Sequence, residues 1–145
     1  MKDAETNRLI DKLMALYLTK GVQPSELADA IFEESYVNMI SQKTNGLIEV
    51  TLSFHEKCEE TFKYHVHSMK YVYNLDCFLI QIEESIDSNN FKLVWSRDSS
   101  AQIIIRDIQN RLLDIGYTKD AIEIILKTLP KNSICIKNLK LQLVS

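Results

Sequence analysis

Residues 47–54, LIEVTLSF, decide the fold class of this chain. Every second residue from Ile48 to Phe54 is apolar, and the residues between them are polar. In an extended strand this alternation places the apolar side chains on one face and the polar side chains on the other. A helix would repeat its apolar side chains every three or four residues instead. The stretch therefore predicts a half-buried β-strand.

Residues 61–74, TFKYHVHSMKYVYN, predict the next strand, but its apolar phase changes midway. Tyr64 and Val66 belong to one phase, whereas Tyr71 belongs to the opposite one. One extra residue between the two halves would return the apolar side chains to the core side of a sheet. We therefore expect a β-bulge at residues 67–68.

Shorter patterns on both sides of these strands complete an α+β plan. Residues 76–83 and 91–95 predict two more strands, which gives a four-stranded antiparallel meander. Apolar residues at helical spacing predict two N-terminal helices, at residues 4–19 and 24–42. Gly46 is interpreted as the end of the second helix.

A helix hairpin and a last strand are predicted for the C-terminal part. Apolar residues recur at helical spacing from Ala101 to Ile115, and Gly116 stands where a C-terminal cap belongs. A second helix follows and ends before Pro130, because proline cannot continue a helix. Residues 133–144, SICIKNLKLQLV, predict the C-terminal strand.

Length and composition predict one globular domain. The 145 residues are enough for a real core, and the apolar content is that of an ordinary folded protein. We therefore expect a single domain over residues 1–145. The formal net charge of −3 disfavours a general polyanion binder, since phosphate binding depends on clustered Lys and Arg.

Two features keep nucleic acid open as an alternative partner. Residues 117–145 hold five lysines against two acids, so a local basic surface is expected there. Residues 21–41 resemble a helix-turn-helix motif, although a tight turn is missing and the supposed recognition segment has no Lys or Arg before Lys43. A nucleic-acid-associated regulator that uses the Lys-rich C-terminal region is therefore the alternative function.

Cysteine usage and hydropathy predict a cytoplasmic protein. Cys58, Cys77 and Cys135 are few and widely spaced, unlike the framework of a secreted disulfide protein. The stretch MKDAETNRLIDKLM is amphipathic and lacks the apolar core of a signal peptide. No apolar run approaches the length of a membrane span. We expect neither membrane association nor a cofactor.

His65 and His67 raise the question of a metal site. Residues two apart on a strand point to the same side, so both could face one ion. If Val66 faces the core, however, that side is solvent. Zinc sites use three or four ligands, and no third ligand is evident. We therefore expect exposed histidines without a metal.

No motif supports catalysis. His55 and Cys58 form an H-x-x-C pair at a predicted turn, but the surrounding acids are expected to raise the pKa of Cys58 and so disfavour a nucleophile. Neither a Gly-rich phosphate loop nor a G-x-S-x-G motif occurs. We expect a protein without catalytic residues. A small hydrolase built on His65, His67 and a cysteine is the third hypothesis for its function.

Residues 112–126, LLDIGYTKDAIEIIL, resemble the first two helices of ubiquitin-associated-type domains. The resemblance rests on the Gly116 and Tyr117 turn and on Ala121 in the small-residue position. Pro130 and a strand-like tail stand where the third helix of that family is found. The resemblance therefore implies a helix hairpin, and no ligand is carried over.

Acidic residues cluster in two of the predicted turns. Alternate turns of a meander lie at the same end of the sheet, so these acids are expected to converge. The predicted partner-binding residues are Glu56, Glu59, Glu60, Glu83, Glu84 and Asp87. Complementary charge speeds association and fixes orientation. We therefore expect a protein-binding module, of the inhibitor, immunity or chaperone type, that docks on a basic partner protein.

Overall fold

The computed structural model describes residues 3–129, and these residues form two compact units. One unit combines residues 3–19 with residues 97–129 and is helical. The other, residues 20–96, contains the sheet. The predicted C-terminal strand at residues 133–144 lies outside the described part of the chain. The single domain stays a prediction.

The described residues have an α+β fold with a five-stranded antiparallel sheet. The helices are α1 (Ala4–Leu18), α2 (Pro24–Leu27), α3 (Arg97–Asp114) and α4 (Lys119–Thr128), with a 3₁₀ helix at Ala28–Phe32; the strands are β1 (Tyr36–Thr44), β2 (Leu47–Lys57), β3 (Tyr64–Tyr73), β4 (Leu79–Ile86) and β5 (Lys92–Ser96). Within residues 3–129, every helix is too short or too polar to cross a membrane.

Two consecutive helices of the helical unit, α3 and α4, lie where the sequence predicts a helix hairpin. Leu13 of α1 packs with Ile108 and Leu112 of α3, and all three side chains are buried. Gly116 follows α3 with a φ of 103°, a left-handed conformation that favours glycine. The N–H of Tyr117 donates to the carbonyl of Leu112 at 3.0 Å. This hydrogen bond pairs a carbonyl of the last helical turn that has no partner within the helix.

Two arginine side chains of α3 form hydrogen bonds with the N-terminal segment of this unit. Arg111 on α3 donates two hydrogen bonds to the Asp3 carboxylate, at 2.8 and 3.0 Å. Asp3 also caps α1, because its carboxylate accepts from the N–H of Thr6 at 2.9 Å. The hydrogen bond from Arg111 and the cap hydrogen bonds hold the pKa of Asp3 well below its usual range. Buried Arg97 donates to the carbonyl of Leu16.

The sheet is a meander in the order β1-β2-β3-β4-β5, and every neighbouring pair is antiparallel. One face, here called the core face, buries Val50, Tyr73 and Leu79 in a cluster that includes Trp95. The Tyr73 hydroxyl donates to the carbonyl of Val22 at 2.6 Å and so ties the start of this unit to the sheet. Residues 47–54 thus form a strand, as their alternation predicts, and its apolar side chains Ile48 and Val50 pack in this cluster.

The predicted helix at residues 24–42 is wrong beyond Phe32, since residues 36–44 form β1. The sheet consequently has five strands rather than four. Asn45 and Gly46 join β1 to β2, and both adopt positive φ, 51° and 77°. Asn-Gly is the favoured sequence for such two-residue hairpin connections, because both positions need left-handed backbone. Gly46 therefore turns a hairpin instead of ending a helix.

The predicted bulge at residues 67–68 is also wrong. β3 pairs with β2 without a register shift from Tyr64 to Tyr73, and its only shift against β4 falls between Val72 and Tyr73. The two apolar phases of β3 therefore lie on opposite faces of one regular strand. Val72 and Tyr73 are both buried, so the sheet is covered on both faces at this end of β3.

Candidate functional site

Three segments meet at one end of the sheet: residues 33–35 before β1, the β2–β3 turn at residues 58–63 and the β4–β5 turn at residues 87–91. The N–H of His55 donates to the carbonyl of Ser35 at 2.8 Å, which places the first segment beside the end of β2. The antiparallel order of β2, β3 and β4 brings the two turns to the same end.

This end of the sheet is rich in carboxylates, and we call it the acidic end. Its acidic residues are Glu33, Glu34, Glu56, Glu59, Glu60, Glu84 and Asp87. Glu33 and Glu34 are not among the predicted residues, because their stretch also fits a helical pattern. The predicted residue Glu83 is not part of this group. Its side chain points to the face opposite to that of Glu84, and its carboxylate lies 3.8 Å from the ammonium of Lys70 within the sheet.

His67 lies between two carboxylates of the acidic end. Its Nδ1 is 2.9 Å from Oε1 of Glu56 on β2, and its Nε2 is 3.1 Å from Oε2 of Glu84 on β4. The imidazole of β3 thus connects three neighbouring strands. The hydrogen bond to Glu56 raises the pKa of His67, burial opposes this effect, and the hydrogen bond to Glu84 adds to the increase.

His65 forms a separate pair with Asp87. Its Nδ1 lies 2.5 Å from Oδ2 of Asp87, whose other oxygen accepts from the N–H of Val66 at 2.8 Å. Asp87 adopts a φ of 53°, which turns the chain so that its carboxylate returns to β3. The hydrogen bond between them raises the pKa of His65 and lowers the pKa of Asp87.

The prediction that both histidines point away from the core face is wrong. Phe54 pairs with His67 and Val50 pairs with Tyr71, so His67 shares a face with the aromatic core residues. The expectation failed because it depended on the bulge. Both imidazoles occupy the open, acidic part of the core face. Among residues 3–129, no group of three or more His, Cys, Asp or Glu side chains is arranged to hold a metal ion.

Cys58 opens the β2–β3 turn, and its ionisation is opposite to the expectation. The sulfur accepts hydrogen bonds from the hydroxyl and the N–H of Thr61 and from the N–H of Glu60. These donors lower the pKa of Cys58 to about 7, and the charge of His65 contributes further. The neighbouring carboxylates do not raise it, because the N–H groups of the tight turn are in direct contact with the sulfur.

Exposed aromatic side chains accompany the carboxylates. Phe32, Phe62 and Tyr64 are 86%, 71% and 67% exposed. The ammonium of Lys57 lies 5.2 Å from the centre of the Phe62 ring and 5.9 Å from that of Tyr64, within the range of cation–π contacts. An open groove of about 760 Å³ runs beside Tyr64, and Glu34 lines it. Phe62 and Tyr64 therefore lie close together through their shared neighbour Lys57.

No family model, curated protein or solved structure matches this chain. The stretch at residues 112–126 forms the end of α3, a turn and most of α4, as the resemblance to ubiquitin-associated-type domains implies. Most of the Lys-rich C-terminal region lies outside the described residues. The geometry of the acidic end is therefore the basis for a functional proposal.

Proposed function

We propose that this protein binds a partner protein with a basic surface through the acidic end, and that it acts by covering that partner rather than by catalysis. A dedicated inhibitor, an immunity protein or a chaperone works in this way. The observation that carries the proposal is the position of two exposed aromatic rings, Phe62 and Tyr64, at the end of the sheet that also holds seven carboxylates.

The two kinds of side chain have complementary roles in such an interface. Aromatic residues are frequent among the few side chains that supply most of the binding energy, because each covers a large area with little loss of entropy. Phe62 and Tyr64 have this role in the proposal. The carboxylates of the acidic end attract a basic surface over a distance and orient it. Lys57 already contacts both rings, so they also suit a lysine or arginine side chain of the partner.

Site-specific crosslinking tests where the partner binds. A photo-reactive amino acid replaces Phe62, and in a control variant it replaces Ile124, which is also exposed but belongs to α4. After illumination in the native host, the Phe62 position should capture one main protein, and its crosslinked peptide should be rich in Lys or Arg. Equal capture from position 124, or capture of nucleic acid instead of protein, would contradict the proposal.

Charge reversal then tests whether the carboxylates are used. The variant Glu59→Lys with Glu60→Lys changes the β2–β3 turn, and Asp11→Lys with Asp107→Lys makes the same charge change on exposed helix positions. With the captured partner, the turn variant should associate much more slowly at low salt, and added salt should reduce the difference, since screening acts over about 8–10 Å. An association rate that responds neither to the turn variant nor to ionic strength would rule out electrostatic docking.

A further inference from the structure

We propose that His67 is a protonation switch of the acidic end. As an imidazolium it donates hydrogen bonds to both Glu56 and Glu84, and when it loses a proton one of these carboxylates becomes available to the partner. The inference about binding rests on the proposed function. The clasp formed by His67, Glu56 and Glu84 stands on its own geometry.

The hydrogen bonds of His67 identify the protonated state. Both ring nitrogens lie within hydrogen-bond distance of a carboxylate oxygen, 2.9 Å for Glu56 and 3.1 Å for Glu84. An ionised carboxylate only accepts hydrogen bonds, so each bond requires an N–H on the imidazole. A neutral imidazole has one N–H, whereas the imidazolium has two. The observed clasp therefore belongs to the imidazolium, and deprotonation must break one of its two bonds.

The surroundings of His67 combine apolar register partners with five charged or titratable groups. Its register partners are the apolar residues Phe54 on β2 and Ile86 on β4. The charged or titratable groups that face it or its two carboxylates are Glu56 on β2, His65 on β3, Glu84 on β4, Asp87 after β4 and Lys92 on β5. His65 is engaged by Asp87. Lys92 is the register partner of Glu84, so it is the nearest cation on β5 to a released Glu84.

Deprotonation of His67 changes both the charge of the acidic end and the stabilisation that its hydrogen bonds provide. The three groups of the clasp carry one negative charge in total when His67 is protonated and two when it is neutral. The pKa of His67 is raised in the folded protein, so the clasp stabilises the fold fully below the ordinary value of 6.5. This stabilisation is lost as the pH rises through the raised pKa. A basic partner is consequently attracted more strongly above that pH, where Glu56 or Glu84 is free.

Nuclear magnetic resonance of the full chain tests the clasp without any partner. The imidazole resonances of His67 should titrate with a midpoint above 6.5. Across the same midpoint, the amide hydrogens of Ser85 and Ile86 should lose protection from exchange, measured relative to the intrinsic exchange rate at each pH. The variant His67→Gln should lose this step in exchange. His55→Gln, a change on the other face of the sheet, should keep it. A midpoint of 6.5 or lower, or a step that persists in His67→Gln, would refute the clasp.

A second measurement tests the effect on binding, with poly-L-lysine as the basic probe. Its association rate with the wild-type protein should rise across the His67 midpoint, and His67→Gln should remove that rise. A rate without any step at the midpoint overturns the switch even where the clasp is present. Absence of binding at every pH overturns the docking of basic partners and, with it, the switch in binding, while the resonance experiment still decides the clasp.

Discussion

Cys58 illustrates how a short turn sets the chemistry of a single side chain. Acidic neighbours in the sequence suggest a raised pKa, but a charge in solvent acts weakly at a distance. Hydrogen bonds from Thr61 and from the N–H of Glu60 act in direct contact and favour the thiolate, so the pKa falls to about 7. The decisive contacts come from the fold of the turn, which residue spacing does not reveal.

Alkylation by iodoacetamide measures this effect, because only the thiolate reacts. With Cys77 and Cys135 replaced by serine, the reaction rate of Cys58 should rise with pH around a midpoint of about 7. Thr61→Val removes the hydroxyl donor and should move the midpoint upward, whereas Thr51→Val in β2 should leave it unchanged. A midpoint close to the ordinary value of 9.0 in the folded protein would show that the hydrogen bonds do not favour the thiolate.

Neighbouring acids illustrate what residue patterns cannot assign. Glu83 and Glu84 are both acidic and adjacent, and the sequence places them in the same predicted turn. In β4, however, adjacent side chains point to opposite faces. Glu83 therefore approaches Lys70, whereas Glu84 joins His67. Assigning these partners requires the strand register, which depends on pairing across the sheet.

At the scale of elements, the most periodic segments were predictable and the ambiguous one was not. The alternation of residues 47–54 and the helical spacing of α3 each continue long enough to exclude the other structure. Residues 36–42 are different, because Tyr36, Met39 and Ile40 have helical spacing, and β1 accommodates them through a register shift between Tyr36 and Asn38. The Asn-Gly pair at residues 45–46 carries the deciding information, since its backbone favours a hairpin.

The helix α3 has a buried stripe whose contribution to stability can be measured. Ile108 of α3 is completely buried in the cluster that α3 forms with α1, so Ile108→Ala leaves a cavity and should lower the free energy of unfolding by about 2–4 kcal/mol. Ile103→Ala on the same helix is the matched control, because that side chain is 57% exposed. Denaturant unfolding of both variants gives the comparison. A loss below about 0.5 kcal/mol for Ile108→Ala, the size of a neutral surface change, would place the helix at the periphery.

At the scale of the whole molecule, the chain builds its helical unit from two separate segments. Residues 3–19 and 97–129 pack together, and the sheet unit is formed by the residues between them. The salt bridge of Asp3 with Arg111 closes the helical unit across this long separation in sequence. Composition and length predict one domain, but they do not predict which segments form which core.

Unfolding observed with two probes tests whether the two units form one cooperative domain. Trp95 is the only tryptophan and packs in the sheet unit, so its fluorescence reports that unit. Circular dichroism of helices reports mainly α1, α3 and α4. For a single domain, both signals should change at the same denaturant concentration, and Ile108→Ala should shift both by the same amount. If the mutation moves only the helical signal, the sheet unit unfolds independently and the chain contains two domains.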